Sequence, residues 1–371
     1  MLYFAPMIKT YLIPFLFCCA SLFSQEVKET SFFVDANYFY GSIVRHNKDI
    51  SHLVKGHPEG VIISYNRETF GQERWEQVYN YPDYGFSFVY QDTESEILGD
   101  NFGLYGHYNF YFLKRNLFLR IGQGIAYNTN PFDKEKNPKN NAYGSSFLSS
   151  TYVMLNYNKQ HIFEGFGIQA GLSIVHYSNA NVKAPNSSTN AITFNLGLQY
   201  EIDSEEPSEY IEKKKYESYT EPIALNIVLR GGFNESDYIG LGQQPFGVIS
   251  AYADKRIGFK SSIQLGADAF FAKFLKKEVE FLATAYPTRG LTGDEDYKRV
   301  GVFAGHELHI NKISLVSQFG YYVYYPYEFE GRTYIRAGLN YNFTEQLFGA
   351  VTLKSHGAKA EGIEFGIGIR I

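Results

Sequence analysis

From Ser31 to the C-terminus the chain repeats one pattern. Apolar side chains alternate with polar or small ones over segments of roughly ten residues, as in Phe194-Asn-Leu-Gly-Leu-Gln-Tyr200. On an extended backbone successive side chains point to opposite faces, so this alternation gives each strand one apolar and one polar face. The segments are Ser31–Val44, Gly60–Glu68, Tyr84–Gln91, Phe102–Leu113, Asn116–Tyr127, Ser145–Tyr157, Phe163–His176 and Ala191–Ile202. After a polar break from Asp203 to Tyr219 they resume as Ala224–Gly232, Phe246–Ala253, Ser261–Ala272, Gly301–His309, Ile313–Tyr325, Arg332–Phe343, Leu347–Leu353 and Gly362–Ile371. Soluble strands average about 5 or 6 residues, whereas a tilted strand crossing a bilayer needs about 10.

So many long strands in an open sheet would leave adhesive edges, which closure into a ring removes. The pattern therefore predicts an all-β fold, a transmembrane antiparallel β-barrel of about 14 strands, within 12 to 16. It is expected as a single domain over residues 25–371. Past the N-terminal leader, no segment has the roughly 18 consecutive apolar residues of a membrane helix. The 32 Tyr and 32 Phe suit the aromatic girdles of such a barrel. Tyr108-Asn-Phe-Tyr-Phe112 and Tyr321-Tyr-Val-Tyr-Tyr325 are candidates for them. Hairpin turns are expected at Lys114–Asn116, at Asn158–His161 and at Asn311-Lys312, and a short connection at Gly56–Glu59.

The N-terminus reads as an export signal over residues 1–24. Lys9 precedes a short apolar run from Tyr11 to Ala20, and Ser21-Leu-Phe-Ser-Gln25 resembles a processing region. Both cysteines, Cys18 and Cys19, lie inside it, so disulfides, cysteine-ligated metals and a cysteine nucleophile are excluded from the mature chain. The net charge of −5 becomes −6 once the +1 of Lys9 is removed, which gives no electrostatic footprint for nucleic acid. His306 and His309 are three apart, which on a strand sends them to opposite faces and predicts no shared metal. Arg120, Arg230 and Arg336 are placed either in a lumen or at a rim.

One stretch carries the residue types of ester hydrolysis: His176-Tyr-Ser-Asn-Ala180, with Pro185-Asn186 and Asn190 after it. His176 and Ser178 share a strand face, so an imidazole can act as base for the hydroxyl, although polar residues filling a lumen would show the same spacing. With Phe194–Tyr200 behind it, and with Tyr127–Asp133, Asn140–Gly144 and Gly71–Gly85 before it, the stretch resembles the lipid A 3-O-deacylase (acyloxyacyl hydrolase-like) family. The likeness covers roughly Gly56 to Tyr200.

The resemblance implies an outer-membrane serine esterase acting on lipid A or a phospholipid, without metal or organic cofactor. It makes His176 the general base, Ser178 the nucleophile and Asn179 an oxyanion donor. The acidic third member would fall at Asn190, which can orient an imidazole but cannot supply charge. Glu361 and Glu364 are distant alternatives for the acid. The other reading is a non-enzymatic outer-membrane channel or structural barrel that retains the motif. The mature protein is expected to begin near Gln25 and to fractionate with the outer membrane; N-terminal sequencing of the membrane-extracted chain checks this, and a cytosolic protein retaining Met1 would refute it.

Overall fold

The computed structural model describes residues 31–202 and 209–371. The export signal, with Cys18 and Cys19, and part of the polar break lie outside the described residues. Every alternating segment forms a strand. The first eight are β1 Phe32–Ile43, β2 Glu59–Arg67, β3 Asp83–Asp92, β4 Asn101–Phe112, β5 Leu117–Asn128, β6 Phe147–Phe163, β7 Phe166–Ser178 and β8 Thr189–Glu201. The second eight are β9 Ile223–Asn234, β10 Gln244–Arg256, β11 Ser261–Ala272, β12 Lys298–Ile310, β13 Ile313–Tyr324, β14 Thr333–Asn342, β15 Leu347–His356 and β16 Lys359–Arg370.

The expectation of one continuous barrel of about 14 strands is corrected: there are two closed antiparallel barrels of eight strands each. The first strand returns to β8 from Phe33↔Glu201 to Ile43↔Ala191, and β16 returns to β9 from Phe365↔Gly231 to Arg370↔Asn226. Alternation marks where strands are but not which pair closes a ring. The physical reason for two small rings lies in their inward side chains. An eight-stranded ring is just wide enough for side chains to fill, whereas one of 16 encloses water. The inward residues here include Arg120, Tyr152, Tyr105 and Phe118 in the first barrel and Arg299, Arg336, Phe270 and Tyr334 in the second, all buried.

Charge is taken inside in paired form. Arg120 has five hydrogen bonds: to Asp35 at 3.0 and 2.7 Å, Asn109 at 2.6 Å, Ser64 at 2.6 Å and Asn66 at 3.1 Å. Those partners use all five guanidinium donors. In the second barrel Arg336 bonds Glu364 at 2.6 Å and Asp268 at 2.8 Å, and Arg230 lies 3.8 Å from Glu364. The three arginines are therefore lumen residues, each with a carboxylate beside it. The outward faces are the reverse: Phe86, Leu104, Ile125, Leu196, Leu225 and Leu265 are among many exposed apolar side chains. A surface of this kind belongs in lipid. No described helix is long and apolar enough to cross a membrane.

Both barrels have a short-turn end and a long-loop end. Residues 113–116 and 164–165, with the longer helix-bearing loop of residues 68–82, join strands at one end of the first barrel, and residues 44–58, 93–100, 129–146 and 179–188 at the other. β6 runs past the turn expected at Asn158–His161 to Glu164-Gly165, where Gly165 supplies a φ of 70°. The Gly56–Glu59 connection is the end of a longer loop. At the long-loop end of the second barrel, helix α2 (Lys273–Ala285; α1 is Arg74–Val78) buries Phe274, Leu275, Val279 and Leu282 against Tyr327 and Phe329.

The barrels touch at both ends. At the short-turn end Tyr79 donates to the His309 carbonyl at 2.6 Å and Lys213 donates to Asn80 at 2.8 Å. At the long-loop end the β7–β8 loop meets the β9–β10 loop. His306 points outward, while His309 points inward and lies 2.8 Å from the Ser262 hydroxyl, so the two rings do diverge as their spacing requires.

Removing Arg120 alone leaves Asp35 buried without its counter-ion. Arg120→Met is expected to destabilise the first barrel by about 3–5 kcal/mol, and Arg120→Met with Asp35→Leu to recover most of it. Urea unfolding in lipid vesicles measures both, and equal losses for the single and double variants would sink the argument.

Candidate functional site

His176 and Ser178 are the last outward positions of β7. Along that strand Ile168, Leu172 and Ile174 are exposed, whereas Gln169, Ser173, Val175 and Tyr177 are buried. The pair therefore stands on the lipid-facing side of the barrel wall, at its long-loop end, and does not fill the lumen. Pairing with β6 is unbroken here (Thr151↔His176, Ser150↔Tyr177, Ser149↔Ser178), so no bulge disturbs the shared face. The backbone of His176 is pinned from inside: Ser150 donates to its carbonyl at 2.7 Å and is itself bonded to the Tyr105 hydroxyl at 2.6 Å.

Asn190 lies directly across from His176 in the β7–β8 ladder. Its amide oxygen is 2.7 Å from His176 Nδ1, and its amide nitrogen is 3.3 Å from His46 Nδ1. His46 Nε2 lies 3.2 Å from the Ser187 carbonyl. His46 Nδ1 also lies 3.2 Å from the Val44 carbonyl, and the protonation pattern that satisfies the contacts running from Ser187 to His176 gives that carbonyl no donor from the ring. His46 donates from Nε2 to Ser187 and accepts at Nδ1 from Asn190, and Asn190 accepts from His176 Nδ1–H. That tautomer, assigned from the network, leaves His176 Nε2 as an unprotonated base.

Ser178 is buried at 6% exposure and donates to the Asn186 amide oxygen at 3.0 Å. The Asn179 N–H donates to the same oxygen at 3.0 Å, and the Ala180 N–H donates to Ser178 Oγ at 3.0 Å. The Asn179 side chain is occupied otherwise. It donates to the carbonyls of Lys183 and Pro185 and accepts from the Asn181 N–H. The Asn179 side chain thus bonds within its own loop, and beside Ser178 stand the Ala180 N–H, which donates to its oxygen, and the Asn186 amide oxygen, which accepts from it. In this resting arrangement the Ser178 hydroxyl is held by Asn186, not by His176. Catalytic contacts are commonly loose before substrate binds.

Asn186 and His46 were given no role in the sequence. Pro185-Asn186 belongs to the motif, but a loop folding back by eight residues follows no strand period. His46 arrives from the β1–β2 loop, far off in the chain. Glu361 and Glu364 are corrected: they lie inside the second barrel, bound to Arg299, Lys354 and His356, and to Arg336 and Thr352. A polar strip of Gln123, Ser149 and Thr151 continues outward from His176 across the neighbouring strands.

The first barrel matches a known family. Residues 59–199 match the family model described as lipid A 3-O-deacylase (PagL). Residues 223–371, the whole second barrel, match the acyloxyacyl hydrolase, C-terminal domain. The two family matches and the closed barrels place the protein in the outer membrane. No match was found among curated proteins. Solved structures that align include a mutant porin of Rhodopseudomonas blastica, at 8% identity over 92% of this chain and 99% of that one, with a TM-score of 0.18. The Acinetobacter baumannii outer membrane protein Omp33 aligns at 9% identity over 92% and 99%, with a TM-score of 0.19. Those scores lie far below a shared fold, so the architecture rests on the strand pairing alone.

Proposed function

We propose that the protein is an outer-membrane serine esterase that removes an ester-linked acyl chain from lipid A. The observation that carries this reading is the gathering of His176, Ser178 and Asn190 on the lipid-facing side of the wall, at the long-loop end. In a bacterial barrel the long loops face outward and the short turns face the periplasm. The three residues then stand at the level where an acyl ester meets water. The family matches support the same chemistry. The interior of the first barrel is filled by side chains, which favours its outer wall over its lumen as the working surface; the second barrel opens at its short-turn end into a cavity of about 640 Å³ lined by Asp254, Glu307 and Arg370, away from this group.

In the proposed reaction His176 Nε2 takes the Ser178 proton as Oγ attacks the acyl carbonyl carbon. The carbonyl oxygen becomes an oxyanion held by the Ala180 N–H beside Oγ. One such donor contributes about 3–4 kcal/mol where it has been removed from other enzymes. Collapse breaks the bond between the acyl carbon and the sugar oxygen, and the imidazolium returns its proton to that leaving oxygen. Water, deprotonated by His176, then attacks the acyl-serine and releases a fatty acid. Asn190 does not carry the charge of an acid, but its oxygen faces Nδ1–H and selects the productive tautomer. A triad aspartate changed to asparagine fails elsewhere because the tautomer is wrong. Here His46 fixes the orientation of the Asn190 amide.

Mass spectrometry of lipid A incubated with the purified folded protein tests the reading. Wild type should release an acyl chain, and Ser178→Ala and His176→Ala should fall by about 10³-fold or more while the barrel still assembles. Equal, non-zero rates for wild type and Ser178→Ala would remove the nucleophile, and activity on phospholipid alone would change the substrate. Asn190→Glu adds the charge that steadies the imidazolium and is expected to raise the rate about tenfold. A fall in that variant would mean that the His46–Asn190–His176 chain needs the amide.

A further inference from the structure

We propose that Glu235, at the end of β9 in the second barrel, is a positioning residue for hydrolysis at Ser178 in the first; this rests on the esterase reading above. The loop from Asn179 to Ser188 supplies both groups beside the nucleophile, the Ala180 N–H and the Asn186 side chain. Its middle is held from outside its own barrel. The Glu235 N–H donates to the Asn181 carbonyl at 3.1 Å, and the Glu235 carbonyl accepts from the Asn181 amide at 3.0 Å. One carboxylate oxygen accepts the Ala184 N–H at 3.0 Å, and the other accepts the Gly242 N–H at 3.0 Å. Gln243 adds a bond to the Val182 carbonyl at 2.9 Å.

Glu235 is 5% exposed, and Asn181 and Ala184 are 3% exposed. Burying a carboxylate is costly unless hydrogen bonds replace its water. No cation lies in ion-pair range of Glu235 among the described residues. Its acceptors are used instead on two backbone donors, one from each barrel. Charge-assisted bonds of that kind are about twice as strong as neutral ones. The residues beside it are tied to the second barrel. Ser236 donates to Glu278 of α2 at 2.6 Å, and Asn234 donates to the Glu361 carbonyl at 3.2 Å. A rigid frame therefore reaches from the second barrel to the loop between Ser178 and Asn186. The chemistry needs that loop still, because an oxyanion donor displaced by about an ångström forfeits much of its effect.

The test uses the full mature chain in lipid vesicles, with ester release from lipid A and amide hydrogen exchange read on the same preparations. Glu235→Gln keeps one acceptor and Glu235→Ala keeps none. The expected order of kcat is wild type, Glu235→Gln, Glu235→Ala, with a fall of roughly 10- to 100-fold for the last and KM changed by less than about threefold. Exchange at Ala184 should quicken in the same order, while heat-modified gel mobility of the barrels stays unchanged. Unaltered exchange at Ala184 in Glu235→Ala overturns the latch whatever the activity. Faster exchange with unaltered kcat overturns the positioning role. Wild type no more active than Ser178→Ala overturns the esterase reading and the positioning role with it, a result told apart from the others by the loss already present with Glu235 intact.

Discussion

An eight-stranded ring has room inside for side chains and for little else. That limit shapes the whole of the first barrel and the long-loop half of the second, whose short-turn end opens into a cavity of about 640 Å³. It forces the inward positions to be filled, and because the strands alternate, many of those positions are polar. Arg120 can sit at the axis only because Asp35, Asn109, Ser64 and Asn66 meet all its donors. The second barrel solves the same problem with Arg336 between Asp268 and Glu364. Buried pairs of this kind add little net stability over apolar packing, but losing one partner is expensive. The interior is thereby committed to structure.

The interior of the first barrel is full, which leaves its wall and rims as the surfaces open to a ligand. The wall faces lipid. His176 and Ser178 take the last two outward places of β7, where the apolar series Ile168, Leu172, Ile174 ends. The ladder does the rest of the alignment, since the residue paired with His176 across β8 is Asn190. What a ladder cannot supply is the backbone donor and the amide beside Ser178. Those come from the β7–β8 loop, and a loop needs support. Asn179 supplies it from within, and Glu235 supplies it from the neighbouring barrel.

That division of labour gives the second barrel a role beyond spanning the membrane. It carries no part of the serine–histidine–asparagine group, yet its β9–β10 loop and α2 brace the segment on which the group depends. The short-turn ends are joined as well, through Tyr79 and His309, and the segment between β8 and β9 docks on the first barrel through Lys213 and Asn80. The two barrels are held at both rims.

By itself the sequence determined the strands, their facing and the candidate chemistry. All the alternating segments are strands because period two is a local property of the backbone, and His176 and Ser178 share a face for the same reason. The family likeness over β2 to β8 was legible in His-Tyr-Ser-Asn-Ala. The tertiary structure alone decided that the strands close as two rings, because closure depends on which distant strands pair, Phe33 with Glu201 and Arg370 with Asn226. It alone decided that Arg120, Glu361 and Glu364 point inward to partners and that the Asn179 side chain bonds to Lys183, Pro185 and Asn181 within its own loop. It alone brought His46, Asn186 and Glu235 to the site, since each arrives on a loop, where no periodicity relates position in the chain to position in space.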